Sequence, residues 1–430
     1  MKNNIIRIIF ALLLMIIITA GTIIIPEGRA TEAATTYITV EAFSKALADE
    51  IGIYSVSGSQ LSGYVNALIE KGIIKEDDFS SYTGYLTRGD AAVLLNRADE
   101  YLYGDKLDPE LVQLALEKRI SDINKVKESK RLDVVKCYLK GYIKGYSNGT
   151  YSTDRAMKGS SKITKDGALS CIKMLQNKNL RAKISPDGQL IRTTKLPKYA
   201  KYFPYVLASF PNEYYDWKFD YEWYTWRENG KPIELVNLED YAAPKDVDKV
   251  TYHGDFKEIK KERLDTWIEE AKIFMNNLLN VDYRTMNEEW IDMMIESNDA
   301  YSFNDEMVRE YMEEYLQGMK KNKTVVECAS VDIDGSSLYY FHMTYYLRVH
   351  VKYRVISSVV SLNMEINDLN ETWAHNNILF SQYFVNLRKS NLNEWHDGYY
   401  EILLANYADG ISGSMVRFDD AMYRGKKVSE

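Results

Sequence analysis

Apolar and polar residues recur with a helical period in several related stretches near the start of the chain. In Asp133–Ile143 the apolar residues have the spacing of one helix face, which predicts a short amphipathic helix. A loop with two glycines follows at Gly145–Tyr151. A second helix is predicted to begin after Thr164, because threonine is a favourable N-cap residue. These two helices and the loop between them define a repeat.

The same repeat occurs earlier in the chain in less complete forms. Tyr64–Ile74 matches the first helix, and Leu86–Leu95 matches the second. Ile38–Leu47 matches the second helix only. Internal repeats of this kind predict helices that bury their apolar faces against one another rather than alone. We therefore expect an all-α module of helical repeats over residues 35–180.

The repeats resemble the S-layer homology module, whose repeats contain an apolar helix ending in Gly-Ile-Ile, a glycine and aromatic loop, and a helix beginning Ile-Thr-Arg-Ala-Glu-Phe. The positions that match here are Gly72–Ile74, Leu86–Asp90, Gly145, Gly149, Tyr151 and Ile163–Lys165. The resemblance implies that three repeats present basic residues to an anionic, often pyruvylated, secondary cell-wall polysaccharide.

On this resemblance, the expected polysaccharide-binding residues are Gly72, Thr87, Arg88, Asp90 and Lys165. The pattern also departs from the family. Val40 occupies the basic position of the first repeat, and Gly167 stands where the family has an acidic residue. Arg88 and Lys165 are thus the residues that keep a positive charge at the motif's basic position.

The first 34 residues have the pattern of a secretory signal. Lys2 and Arg7 precede 18 uncharged, mostly apolar residues, Ile8–Ile25, and small residues follow near Ala33. A stretch of this length is close to the ~20 residues that span a bilayer, so a cleaved signal peptide and an uncleaved signal anchor both remain open. Either one predicts export to the cell wall or cell surface, with membrane contact limited to this segment.

Positive charge is concentrated in one part of an acidic chain. Residues 105–201 contain 22 Lys and Arg against 10 Asp and Glu, whereas the whole chain has a net charge of −8. A solvated basic face would explain such a stretch, and so would electrostatic capture of an acidic polymer. No nucleic-acid-binding motif accompanies it, and the predicted export argues against a nucleic-acid partner.

Residues 181–256 contain most of the chain's prolines and are expected to form a linker region. Within them, Tyr199–Trp226 holds 13 aromatic residues in 28 positions. Such rings could form a platform for glycans, or they could pack an irregular segment onto the neighbouring domain, which we favour. The three cysteines are too few for a disulfide scaffold. Cys137 and Cys171 align with apolar positions of the other repeat, so buried thiols are favoured over a bridge.

The remaining residues, 257–430, change from a helical to a strand period. Helices are predicted at 258–280, 288–296 and 305–320, and strands at 324–333, 338–357, 378–389 and 399–407. This order predicts an α+β domain with a curved antiparallel sheet over helices. In element order alone it is similar to the nuclear-transport-factor-like, cone-shaped superfamily, which contains both enzymes and binding modules.

No catalytic, cofactor or metal motif is recognisable in the chain. The histidines lack the spacing of paired metal ligands, and no Gly-x-Ser-x-Gly or phosphate-binding loop is present. We therefore expect a non-enzymatic C-terminal domain, displayed by wall-bound repeats, that binds a partner or has a structural role. A wall-attached enzyme is the main alternative, and a pocket with converging carboxylate, His or Tyr groups would favour it. The third possibility is that the repeats are degenerate and bind a protein instead of a polysaccharide.

Overall fold

The structure is a computed structural model, and it describes residues 35–54, 62–216, 226–228, 231–233, 243–246, 248–251, 254–296, 305–341, 344–362, 390–404 and 416–418. The chain forms two compact units. The first takes in the described residues of Met1–Lys106, Lys125–Cys137 and Lys158–Arg181. The second takes in those of Leu107–Asn124, Tyr138–Met157 and Ala182–Glu430. The predicted signal segment lies outside the described residues.

The α-helices are α1 (Val40–Ile51), α2 (Gly63–Glu70), α3 (Arg88–Tyr103), α4 (Pro109–Lys118), α5 (Glu128–Leu139), α6 (Lys165–Lys173), α7 (Asn212–Tyr215), α8 (Phe256–Leu279), α9 (Glu288–Glu296) and α10 (Asp305–Asn322). The strands are β1 (Tyr146–Ser147), β2 (Arg155–Ala156), β3 (Trp226–Glu228), β4 (Lys231–Ile233), β5 (Val250–Thr251), β6 (Gly254–Asp255), β7 (Val281–Asp282), β8 (Val325–Ile333), β9 (Tyr339–Phe341), β10 (Thr344–Ser357), β11 (His396–Leu404) and β12 (Val416–Phe418). The fold class is mixed α+β, which confirms the prediction of a chain that contains both helices and an antiparallel sheet. The separate all-α module over residues 35–180 stays a prediction, and β1 and β2 lie within that range.

Helix α3 forms the centre of the first unit, because every residue from Ala91 to Asp99 is buried. A helix buried on all sides must pair the polar groups that it carries. Arg97 meets Asp78 at 2.6 Å and Asp133 at 3.0 Å, and Asp99 meets a guanidinium nitrogen of Arg181 at 2.8 Å. These pairs hold the segments around α3 in place.

Cys137 and Cys171 are thiols that do not form a disulfide; Cys137 is buried, as the alignment of the repeats predicted, and Cys171 is half-buried. Within the described ranges, none of the helices has both the length and the apolar character needed to cross a bilayer.

The second unit is built on a curled antiparallel sheet with the strand order β12-β11-β10-β8-β7, in which β9 also pairs with β10. Helix α8 contributes Trp267, Phe274 and Leu278 to the core, where they meet apolar residues of the sheet such as Leu347 and Val351. The prediction of one strand over residues 338–357 is wrong. This range contains two strands, β9 and β10, which pair with each other. The predicted strand 378–389 lies outside the described residues.

Aromatic residues of 203–215 form a second apolar cluster in this unit around Tyr339 and Tyr346. The polar tips of these rings are satisfied: Tyr214 donates to the carbonyl of Arg348 at 2.6 Å, and Tyr215 donates to Asp334 at 2.6 Å. The rings therefore pack as the sequence indicated, up to the end of α7. The later aromatic side chains of this stretch lie outside the described residues.

Arg348 and Glu401 form an ion pair of 3.0 Å at the centre of this cluster, and their side chains are 2% and 1% exposed. The guanidinium of Arg348 also donates to the carbonyl oxygens of Tyr214 and Tyr215 at 3.4 and 3.2 Å. A buried pair is tolerated only when its remaining hydrogen-bonding groups are satisfied. This network therefore connects α7 to the sheet through defined polar contacts.

We expect Asp334→Asn to lower the free energy of unfolding by about 1–3 kcal/mol. The buried carboxylate accepts hydrogen bonds from Tyr215 and from the amide and hydroxyl of Ser336, and an asparagine would turn a donor toward one of them. Urea unfolding of the full chain measures the change. Asp265→Asn on the exposed side of α8 is the control, and an equal loss there would contradict the assignment.

We also expect the contribution of Asp334 to the free energy of unfolding to depend on pH. Burial raises the pKa of Asp334, and the hydrogen bonds from Ser336 and Tyr215 oppose that shift only in part. A carboxyl group whose pKa is higher in the folded than in the unfolded protein stabilises the fold. This stabilisation is complete at pH values below the unfolded-state pKa of about 3.9, and it is lost as the pH rises through the folded-state pKa. The difference in unfolding free energy between wild type and Asp334→Asn should therefore be largest in acid and shrink toward neutral pH, as urea titrations at several pH values will measure.

Candidate functional site

Three chain segments that precede helices meet in the first unit and close a ring of backbone hydrogen bonds. The N–H of Ile38 donates to Ile163 at 3.4 Å, that of Ile163 to Leu86 at 3.1 Å, and that of Leu86 to Ile38 at 2.9 Å. All three side chains are buried. We call the segments 36–40, 84–88 and 161–165 the helix-start ring. Each residue of one segment has an equivalent in the other two.

A second set of three equivalent hydrogen bonds joins the same three segments. The first residues of α1, α3 and α6 are Val40, Arg88 and Lys165, and their N–H groups donate to the neighbouring segments at 3.0, 2.8 and 2.9 Å. The first N–H groups of a helix have no partner within the helix, so these contacts satisfy them. The threonines before these residues cap the same three helices through their side chains. The N-cap predicted at Thr164 is confirmed.

The expected binding residues occupy different places around the ring. Arg88 is half-buried and Lys165 is exposed, each in the first turn of its helix. Thr87 accepts the N–H of Asp90 at 3.1 Å and donates its hydroxyl to the carboxylate at 2.7 Å. The other carboxylate oxygen of Asp90 meets Lys130 at 2.7 Å. Thr87 and Asp90 thus fix the helix start that presents Arg88.

Gly72 lies outside the ring. It follows α2 with a φ of +72°, and its N–H donates to Ile69 at 2.9 Å. A glycine adopts this left-handed backbone without strain, so Gly72 ends the helix and directs Ile73 and Ile74 into the core.

Cys171 of α6 reports on the position of Arg88. Burial raises the pKa of this thiol to about 11, and the positive charge of Arg88 acts in the opposite direction. The guanidinium is therefore near enough to α6 for its charge to act on this thiol. The raised pKa keeps the thiol protonated and unreactive at neutral pH.

A second cluster of polar groups, in the second unit, surrounds His350 of β10, which is 1% exposed. Its Nδ1 lies 2.9 Å from Asp332 of β8, and its Nε2 lies 2.8 Å from Asp397 of β11. Tyr151 stacks on the imidazole with ring centroids 3.7 Å apart, and its hydroxyl meets that of Tyr399 at 2.5 Å. We call these five residues the imidazole cluster.

Tyr151 enters the imidazole cluster with a strained backbone. Its φ is +61°, which is uncommon for a residue with a Cβ atom, and its N–H donates to Ser209 at 2.7 Å. Burial raises the pKa of its hydroxyl, and the hydrogen bond with Tyr399 raises it further. Tyr151 is therefore a protonated phenol at neutral pH, held in place at the cost of backbone strain. Strain of this kind is concentrated at functional sites in proteins.

The imidazole cluster borders a cavity of about 440 Å³, into which Tyr151 and Asp332 face together with Lys118, Lys272 and Phe210. A neutral imidazole has one N–H, so His350 donates to both carboxylates only when it is cationic. Each ring nitrogen faces a carboxylate oxygen. Asp332 and Tyr151 are therefore the members of the cluster that are placed to meet a ligand.

The sequence did not single out the imidazole cluster. Its members come from one loop and three strands, and the strand register places Asp332 and Tyr399 beside His350. In the described part of the chain, no group of three or more His, Cys, Asp and Glu side chains could hold a metal ion. His253, His342 and His375 lie outside that part.

No family model, no curated protein and no solved structure matches this chain. Its function is therefore argued from the geometry of these two sites.

We expect His350→Phe to lower the free energy of unfolding by about 1–3 kcal/mol. Phenylalanine keeps the stacked area against Tyr151 and removes both hydrogen bonds to the carboxylates. His396→Phe is the matched control, because His396 is less buried and contacts the backbone of Asn391. Thermal and urea unfolding measure both variants. Equal stability of His350→Phe and wild type would show that the two carboxylate contacts add nothing.

Proposed function

We propose that this is an exported protein whose first unit binds an anionic secondary cell-wall polysaccharide and so anchors the chain to the wall of a Gram-positive-type envelope. The observation that carries the proposal is the helix-start ring. Three related segments close on one another there, and three helices begin from one small surface.

The electrostatics of the ring support an anionic ligand. The N-terminus of a helix carries roughly half a positive charge, which favours an anion nearby. Because the first N–H groups of these helices are paired within the ring, basic side chains would make the direct contacts. Arg88 and Lys165 extend from two of the three helix starts, and Lys165 lies in the basic stretch of residues 105–201. A polymer with repeated carboxylates would meet several positive groups at once.

The expected binding residues then have separate roles. Arg88 offers a planar fork that holds a carboxylate through two parallel hydrogen bonds, and Lys165 offers a single mobile charge. Thr87 and Asp90 position the turn that carries Arg88. Gly72 shapes the end of α2 and is a positioning residue rather than a contact.

The imidazole cluster favours a second candidate function, a wall-attached enzyme. A tyrosine, a carboxylate and a buried histidine converge beside a cavity, and catalytic sites are built from such groups. Turnover of a glycan, peptide or ester by the full chain, lost in Asp332→Asn, would establish this function. Absence of turnover with all three substrate classes would leave the second unit as a binding or structural module.

We expect the full chain to sediment with cell-wall material at low salt and to be released as ionic strength rises, because exposed charges are screened over ~10 Å at 0.1 M salt. Wall material stripped of its polysaccharide is the control and should retain little protein. Equal binding to stripped walls, independent of salt, would contradict the proposal and favour docking to a wall protein.

We expect Arg88→Ala to weaken binding to the purified polysaccharide by about tenfold or more, and Lys165→Ala by less than about fivefold. The loss of a paired, partly buried contact costs more than the loss of an exposed charge. Lys71→Ala, at the end of α2, removes an exposed charge outside the ring and is the control. Isothermal titration calorimetry measures all three.

Arg88→Lys separates charge from geometry at the same position. It keeps the positive charge and loses the planar fork, so it should bind nearly as weakly as Arg88→Ala. Full recovery in Arg88→Lys, or equal losses in Arg88→Ala and Lys165→Ala, would show that charge acts diffusely at the ring.

A further inference from the structure

The outer face of the helix-start ring carries three side chains that the binding motif does not include. Tyr37, Tyr85 and Lys162 occupy equivalent positions, each directly before one of the buried residues that close the ring. Successive residues of an extended segment point to opposite sides. Because the ring residues point inward, these three point outward, where Tyr37 is 41% and Tyr85 is 53% exposed. We call them the aromatic–lysine face.

The three side chains are in contact with one another. The rings of Tyr37 and Tyr85 meet edge to face, with centroids 5.9 Å apart and planes at 66°. The ammonium of Lys162 lies 4.4 Å from the ring centroid of Tyr85 and 5.6 Å from that of Tyr37. A cation over an aromatic face is held by electrostatic attraction to the ring. Among the described residues, no carboxylate forms an ion pair with Lys162.

We propose that the aromatic–lysine face is a second subsite for the polysaccharide, and that it takes an acidic sugar residue. The sugar ring packs its apolar C–H face against Tyr37 and Tyr85, and its carboxylate accepts hydrogen bonds from the ammonium of Lys162. This inference rests on the proposed wall-binding function and adds residues that the motif does not contain.

The chemistry of the face favours this occupant over an apolar protein surface. Two exposed aromatic rings supply a packing area, while an ammonium placed between them would lose its hydration under an apolar partner without any compensating charge. An acidic sugar supplies both a C–H face and the compensating carboxylate. The nearby starts of α1, α3 and α6 add positive potential for the same ligand.

The subsite also supplies a positive charge that the first repeat lacks. The first repeat has Val40 at the motif's basic position, and its side chain is buried. Lys162, from the segment before α6, brings a third cation to the ring at a position where the other two segments have tyrosine. The ring thus carries three basic residues in an arrangement of its own.

The test measures binding of the full chain to purified wall polysaccharide by calorimetry. The double variant Tyr37→Ala/Tyr85→Ala should bind about tenfold more weakly, since each stacked ring contributes about 0.5–1.5 kcal/mol, equivalent to several-fold. Tyr37→Phe/Tyr85→Phe keeps both rings and should bind like wild type. Tyr101→Ala, which removes a comparably exposed tyrosine from α3, is the control. Thermal unfolding verifies that every variant is folded.

Lys162→Met tests the acidic group of the ligand. It should weaken binding several-fold to the native polysaccharide and have no effect on a carboxyl-reduced polysaccharide. Removal of either partner of one contact has the same effect as removal of both, so the two changes should not be additive. Additive losses would overturn the assignment of Lys162 to the carboxylate.

The outcomes separate this inference from the proposed function. If wild type binds, Arg88→Ala binds weakly and the tyrosine variants bind normally, the subsite is wrong and wall binding stands. If wild type does not bind the polysaccharide, both fail. If Tyr37→Ala/Tyr85→Ala instead converts a dimer to a monomer in sedimentation velocity and leaves polysaccharide binding intact, the face is a self-association surface and the inference is overturned.

Discussion

The first unit depends on the three backbone hydrogen bonds that join Ile38, Leu86 and Ile163 in a closed ring. These residues are buried, so an unpaired N–H or C=O group in this region would cost about 1–3 kcal/mol. Closing the ring satisfies the groups and fixes where α1, α3 and α6 begin. The helix starts, their basic residues and the outward-facing side chains are placed together for this reason. The surface at which we propose ligand binding is therefore formed by backbone pairing.

In the second unit the corresponding constraint is the buried pair of Arg348 and Glu401. Arg348 and His350 lie two residues apart on β10, so their side chains leave the same face of the sheet. The contacts of Arg348 with α7 and with β11 hold this part of β10 in one register. That register places His350 opposite Tyr399 and Asp332. The imidazole cluster therefore depends on a network that lies outside it.

Local elements were largely predictable from the sequence. Thr164 is the N-cap of α6 as predicted, α9 has the predicted bounds of Glu288–Glu296, and the long helix of the second unit begins and ends within two residues of its prediction. The pairing of β9 with β10 was missed because residues 339–346 contain neither glycine nor proline to indicate a break in the strand. Tyr151 was interpreted as part of a repeat loop, and its stacking on His350 was not foreseen.

The sequence by itself determined the features that depend on near neighbours: the helical period, the threonine cap of α6, and the change from helices to strands. The tertiary structure decided which distant groups meet. The ring joins segments about 50 and 75 residues apart, and the imidazole cluster joins a loop to three strands. Capping and periodicity arise from contacts within a few residues. Closure and register depend on the packing of whole elements, which determines the partner of each buried polar group.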